Sequence, residues 1–244
     1  MLPEIQSGLR TGYSTATALA KVSDNILCES DKGMGSILVL LDFSRAFDCL
    51  NMDLLIAKLL YYGISSTSIK WFSSFLSNRR QYVESESGQG ELVQSNVRNI
   101  NRGTPQGSIL SPILFILFTA DLVNSIKHCK VHLYADDTQI YYSFDPQHTR
   151  TAINLINEDL KAVGDWAKNH GLILNPLKSK FIIFGTKHQR LKVKQNLKPL
   201  IVDGKNIERV DCVRNLGLLM DEDLRYAEHV KINNIMWIVL WITY

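Results

Sequence analysis

Apolar positions along the chain alternate between two spacings. Residues 12–30 set Ala16, Leu19, Ala20 and Val22 at helical intervals and predict a helix. Residues 37–41 form an unbroken apolar run that ends at Asp42, the pattern of a buried strand. Asn51 is suited to cap a helix over 53–62, which Gly63 stops. A shorter helix is expected over 68–76, with Trp71, Phe72 and Phe75 in the core rather than serving as base-stacking platforms. Residues 81–87 and 91–97 flank Gly88 and Gly90 and predict a hairpin. Ser111-Pro112 opens a very apolar helix, since proline is tolerated in a first turn. Residues 131–134 and 138–142 predict short strands with only Ala135-Asp136-Asp137 between them. Residues 149–170 place Ile153, Ile156, Leu160, Val163 and Ala167 on one helical face, with Gly171 as the stop. A strand over 181–184, a turn at Asp203-Gly204 and one more strand over 210–220 complete the reading. Strands, hairpins and helices interleave, which predicts an α+β fold: an antiparallel sheet backed by helices.

Composition narrows the class. With 45% hydrophobic and 21% charged residues in 244, the chain is neither a disordered tail nor a small disulfide scaffold. No apolar run approaches the ~18–20 residues of a membrane span. The longest, at 113–118 and 235–241, fall far short, and the first residues carry no signal-like stretch. A soluble, intracellular protein without membrane contact is expected, in nucleus or cytoplasm. Cys28, Cys49, Cys129 and Cys212 are too scattered for a zinc knuckle and read as reduced filler.

Charge is uneven. Residues 1–160 hold 13 basic and 16 acidic side chains, whereas residues 161–244 hold 14 and 8. The window 178–198 has seven basic residues and no acidic one, and 187–198 reads as a basic surface connection. Such a stretch either neutralises phosphates or is a solvated loop.

The sharpest chemical signal is Tyr134-Ala135-Asp136-Asp137, two carboxylates at a tight hairpin. Alone it is explained by the preference of Asp for turns. Asp42, at the end of a buried strand, adds a third. Carboxylates at neighbouring strand ends repel one another unless cations neutralise them. Hard oxygen ligands suit Mg²⁺, and a pair of such ions ~3.5–4 Å apart can clamp an in-line phosphoryl transfer.

In order along the chain, six segments resemble those of one family, the reverse transcriptases of non-LTR (LINE-type) retrotransposons, most nearly the jockey/CR1-like group. QSGLRTGYSTATAL (6–19) resembles its fingers segment and LDFSRAFD (41–48) its motif A. RGTPQGSILSPILF (102–115) resembles motif B, LYADDTQIY (133–141) motif C, GLILNPLKSKFIIF (171–184) motif D and NLGLLMDEDL (215–224) the primer-grip motif E.

The resemblance implies a polymerase palm, an antiparallel sheet with helices packed on one face, plus partial fingers. It implies RNA-directed DNA polymerase activity, a nucleotidyl transfer from dNTP to a primer 3′-OH, with an RNA template and a DNA primer as partners and two Mg²⁺ (or Mn²⁺) as cofactors. Asp42, Asp136 and Asp137 match the catalytic, metal-binding aspartates, and the Phe43 carbonyl would complete one metal's shell. The amides of Arg45 and Ala46 would meet the triphosphate. Phe47 matches the gate that excludes a ribose 2′-OH. Gln106 and Gly107 would lie at the incoming nucleotide, Lys178 matches the general acid of motif D, and Leu216 and Gly217 fall in the primer grip. Asp48 is expected to be a hydrogen-bonding residue rather than a ligand.

By the same resemblance, residues 1–230 form the reverse transcriptase domain. Fingers are expected at about 1–36 and 64–101 and palm at about 37–63 and 102–222. Residues 231–244 read as an aberrant apolar tail in place of the thumb. The expectation is a copy truncated at both ends and poorly active. A non-catalytic nucleic-acid-binding palm remnant is the alternative, and the oligomeric state is open.

Overall fold

Caps and stops set most of the helices. Ser14 opens α1 (Thr15–Asp31) with a capping box closed by Thr17. After β1 (Gly35–Leu41), the Asn51 side chain accepts from the Leu54 amide at the start of α2 (Met52–Tyr61). Ser65 caps α3 (Ser66–Leu76) in the same way. A double ladder follows, with β2 (Arg79–Gln81) paired to β5 (Arg98–Ile100) and β3 (Glu84–Glu86) to β4 (Leu92–Gln94). Helix α4 (Leu110–Thr119) begins slightly before Ser111 and keeps Pro112 in its first turn, where the missing N–H breaks no helical bond. Next come β6 (Lys130–Tyr134), β7 (Asp137–Phe144), α5 (Thr149–Asn169), β8 (Lys180–Phe184) and α6 (Lys187–Gln195). Three small pieces, β9 (Ile201–Val202), β10 (Lys205–Asn206) and β11 (Glu208–Arg209), precede the hairpin of β12 (Cys212–Asn215) and β13 (Leu218–Asp221). This computed structural model describes residue 3, residues 5–88 and residues 90–232.

The central sheet has five strands in the order β11-β8-β1-β7-β6. Every pair is antiparallel except the short parallel contact of β11 with β8. Strand β1 is covered on both faces, which accounts for its unbroken apolar run. Ile37, Val39 and Leu41 face the main core, with Leu55 and Leu59 of α2, Phe115 and Phe118 of α4 and Ile153, Ile156 and Leu160 of α5. Leu38 faces the other way and packs with Leu19, Val22 and Ile26 of α1 and with Val213 and Met220 of the β12–β13 hairpin. The expected helical layer is present, and α1 with the hairpin covers part of the opposite face. No helix among the described residues is long and apolar enough to cross a membrane.

Four local expectations are corrected. Residues 187–195 are a helix, not a surface connection: Thr186 and Gln189 form a capping box, and Val193 and Arg190 are buried. Arg190 pairs with Glu222 and Asp223, and Lys194 with Glu222, so these basic groups are engaged by acids of the chain itself. Residues 210–220 are not one strand but a hairpin, because Leu216 and Gly217 both take positive φ, the signature of a type I′ turn. Trp71 is 53% exposed and stacks on Phe75 rather than entering the core. All four cysteines are free, with Cys28 and Cys212 exposed rather than filling the interior. The apolar run at 235–241, and residues 233–244 of the expected tail, lie outside the described residues.

Candidate active site

Strands β1 and β7 deliver the carboxylates. Their ladder pairs Leu40 with Gln139 and ends at Leu41 with Thr138, so Asp42 and Asp137 both lie one residue past its last pair, and both line one cavity. Strand β7 turns back to β6 through Ala135 and Asp136 alone, since Tyr134 pairs with Asp137. Ala135 takes φ +55°, a strained value for a residue with a side chain. Asp42 is half-buried, and its Oδ2 is buried without a hydrogen-bond partner. Asp137 is solvent-exposed as a residue, yet burial of its carboxyl, with repulsion from Asp136 and Asp42, pushes its pKa up to about 6. Asp42 and Asp136 thus lie close enough to Asp137 to oppose its ionisation.

That charge arrangement fits a hard cation, which would partner the orphaned Asp42 oxygen and relieve Asp137. Among the described residues no three acidic, imidazole or thiol side chains already form a cation cage. Mg²⁺ rarely needs one: it is held by one or two carboxylates together with substrate phosphates and water.

Beyond Asp42 the chain is pinned by the segment before β8. The Asn175 amide donates to the Asp42 carbonyl at 2.8 Å, and the Ser44 amide donates to the Ile173 carbonyl at 2.8 Å. Phe43 and Leu174 are the intervening bridge pair, so the Phe43 carbonyl points to the opposite edge, where β7 lies. The Ser179 hydroxyl accepts from the Asp42 amide. Arg45 then takes φ +51° ahead of the single 3₁₀ turn Ala46–Asp48. The amides at the start of such a turn have no partner within it.

Phe47 sits half-buried with its ring centroid 5.0 Å from that of Phe115. Gly103 presses on this turn so closely that a Cβ would lie 2.7 Å from the Phe47 carbonyl oxygen and the Asp48 Cα, which leaves room only for glycine. The Thr104 amide donates to the Phe47 carbonyl, and the Gln106 side-chain amide donates to Asp48 Oδ1 at 2.6 Å. Asp48 is therefore a hydrogen-bonding residue, as expected. Gly107 has φ +84° and open space around it.

A cavity of about 360 Å³ joins several of these groups, lined by Asp42, Asp137, Gln139, Lys178, Asn215 and Leu216 among others. Lys178 is exposed, at the end of a turn in which its amide donates to Asn175. The Leu216-Gly217 turn reaches the cavity because Asn215 donates from Nδ2 to Gln139 Oε1 at 3.0 Å, with both residues buried. Gln106, Gly107, Arg45 and Ala46 do not line this cavity. Gln106 instead lines a cleft of about 780 Å³ with Asp48, Arg79, Arg80 and Arg102.

Residues 1–220 match the family model described as reverse transcriptase (RNA-dependent DNA polymerase). The chain belongs to the reverse transcriptase family. Curated relatives include the probable RNA-directed DNA polymerase from transposon BS of Drosophila melanogaster, 28% identical over 95% of this chain. That from transposon X-element of the same fly is 26% identical over 93%, and the RNA-directed DNA polymerase from mobile element jockey is 24% identical over 94%. These agree with the jockey-like, non-LTR resemblance. The chain spans about a quarter of the length of these relatives. Among solved structures, apo telomerase from Candida tropicalis, truncated from its C-terminal domain, superposes with a TM-score of 0.54 at 14% identity, covering 88% of this chain and 39% of that one. A second structure of apo telomerase from Candida tropicalis gives 0.51 at 13% identity, over 82% and 35%. Those likenesses concern the fold, and they agree with a polymerase palm.

Reverse transcriptases as a family use divalent metals and engage a template and a primer. Residues with contacts at this candidate site that were not singled out from the sequence are Gln6, Gln139, Asn175, Ser179 and Asn215. Asn175-Pro176 carried a turn signal. Gln139 and Asn215 carried none, because their bond spans 76 positions of sequence.

Proposed function

We propose that this chain is the palm-bearing part of an RNA-directed DNA polymerase of a non-LTR retrotransposon, extending a DNA primer on an RNA template from dNTPs. The observation that carries the reading is that Asp42 and Asp137 line one cavity at the open end of β1 and β7, with Asp136 in the adjoining turn. Asp42, Asp136, Asp137 and the Phe43 carbonyl would hold two Mg²⁺ ions, which when bound would activate the primer 3′-OH and stabilise the leaving pyrophosphate.

The other roles follow from position. Amides of Arg45 and Ala46, at the turn after Asp42, are oriented donors for triphosphate oxygens. Phe47, braced by Phe115, would fill the space a 2′-OH needs. Gln106 and Gly107 would border the nucleotide, with Gln106 held by Asp48. Lys178 lines the cavity shared by Asp42 and Asp137 and is suited to hand a proton to the leaving group. Leu216 lines that cavity and forms a two-residue turn with Gly217, suited to hold the primer end.

Single-nucleotide extension of a DNA primer annealed to RNA tests this. Incorporation should require Mg²⁺ or Mn²⁺ and fall by about 10²-fold or more in Asp136→Asn. Nucleic-acid binding without metal-dependent incorporation would instead favour a palm remnant that only binds.

A further inference from the structure

The Gln6-Ser7-Gly8 segment has no role in the chemistry above, yet it is fixed against the turn that carries Asp136 and Asp137. Gln6 forms a parallel bridge with Leu133 of β6. The Leu133 amide donates to the Ile5 carbonyl, and the Ser7 amide donates to the Leu133 carbonyl, each at 2.9 Å. Ser7 Oγ is hydrogen-bonded to His132 Nε2 at 2.9 Å. Gly8 approaches so closely that a Cβ there would lie 2.5 Å from the Ala135 nitrogen.

At the centre is one side-chain atom. Gln6 Oε1 accepts from the Gly8 amide at 2.8 Å and from the Ala135 amide at 3.2 Å. In a two-residue hairpin loop the first loop amide is outside the strand ladder, so this donor needs a partner from elsewhere. Ala135 is also the strained residue of the loop, and Asp136 and Asp137 follow it directly. Gln6 is buried, and its Nε2 has no hydrogen-bond partner, so the side chain is held through Oε1 alone.

We propose that Gln6 is a positioning residue: by capping the Ala135 amide it holds the Ala135-Asp136 loop in the conformation that presents the two aspartates to metal. This rests on the metal-binding reading of those aspartates. It also gives the segment a place under the catalytic turn, in addition to any part it has in nucleotide contact.

Direct Mn²⁺ binding to the purified chain, followed by calorimetry, tests it without using catalysis. Gln6→Met keeps the side chain's bulk and removes the acceptor. It should weaken Mn²⁺ binding by about tenfold, the scale of lost support behind a ligand, with an unchanged far-UV spectrum. Gly8→Ala, which removes no polar group but crowds Ala135, should act in the same direction and carries the test if Gln6→Met does not fold. Ser7→Ala loosens the segment at His132 without touching the turn and should leave the affinity within twofold. Gln6→Met and Gly8→Ala within twofold of the parent, or Ser7→Ala as weak as Gln6→Met, would overturn the positioning role. Binding that ignores Asp137→Asn would instead overturn the metal reading itself. Binding that depends on Asp137 but not on Gln6 would overturn only this inference.

Discussion

Asp42 and Asp137 each lie one residue past the last pair of the β1–β7 ladder and line one cavity, close enough for Asp42 to oppose the ionisation of Asp137. Like charges held close together disfavour the ionised form. The fold keeps the pair although an amide at either site would remove the repulsion, which is the compromise expected of a site that receives a cation.

The metal-free chain should therefore be stabilised by Asp137→Asn at pH 8. The Asp137 pKa is raised in the fold from 3.8 to about 6. The protonated form is favoured in the fold, so this group supports stability most below pH 3.8 and loses that support as pH rises through 6. Thermal unfolding checks this: the variant should melt higher than the parent at pH 8, and the two should converge near pH 4. Metal binding should show the reverse dependence and weaken as pH falls below about 6, because the ligand must be ionised.

Phe47→Val should relax sugar selection. The ring rests on Phe115 and is only partly enclosed, so truncation should cost on the order of 1–2 kcal/mol and leave the fold intact. The ratio of kcat/KM for rNTP over dNTP should rise by tenfold or more, about 1.4 kcal/mol of lost discrimination. An unchanged ratio would assign the ring to packing alone.

Lys58 is a structural cation. It is 8% exposed, donates to the Phe118 carbonyl and to Asp121 Oδ1, each at 2.6 Å, and lies over the Phe118 ring. Burial lowers its pKa, and the bond to Asp121 opposes that shift. Lys58→Ala should destabilise by about 1–3 kcal/mol, the cost of leaving a buried acceptor unpaired, as read from urea unfolding. Its effect on nucleotide incorporation measured well below the melting temperature should be small.

Asn215→Ala cuts the bond that ties the Leu216-Gly217 turn to Gln139, two residues beyond Asp137. Stability should fall by about 1 kcal/mol. The KM for primer should rise more than the KM for dNTP if the turn holds the primer end as proposed.

The parts of this architecture legible in sequence are those with local causes. The apolar run of β1, the Asn51 cap, the Gly63 and Gly171 stops and the stripe on α5 each act over a few residues, and each predicted element formed. Local signals were also misread. The basic composition of 187–198 masked the Thr186/Gln189 capping box, and apolar Leu216 disguised a type I′ turn that usually holds Asn or Gly. The supports of the candidate site were illegible for another reason. Gln6 meets Ala135 across 129 positions, and Ser179 meets Asp42 across 137, so only the assembled sheet brings them together. The strand end at Asp42 and the tight turn at Asp136-Asp137 are local features, while the repulsion that Asp42 exerts on Asp137 arises only in the assembled sheet.

The most direct test of the account is to locate Mn²⁺ by anomalous diffraction in crystals grown with primer–template and a dNTP. The account expects two peaks ~3.5–4 Å apart, with the Asp42 and Asp137 carboxylates bound at ~2.0–2.2 Å and the dNTP phosphates completing the shells. Mn²⁺ bound only elsewhere, or a dNTP seated in the cavity with the Asp42–Asp137 position lacking metal, would contradict it.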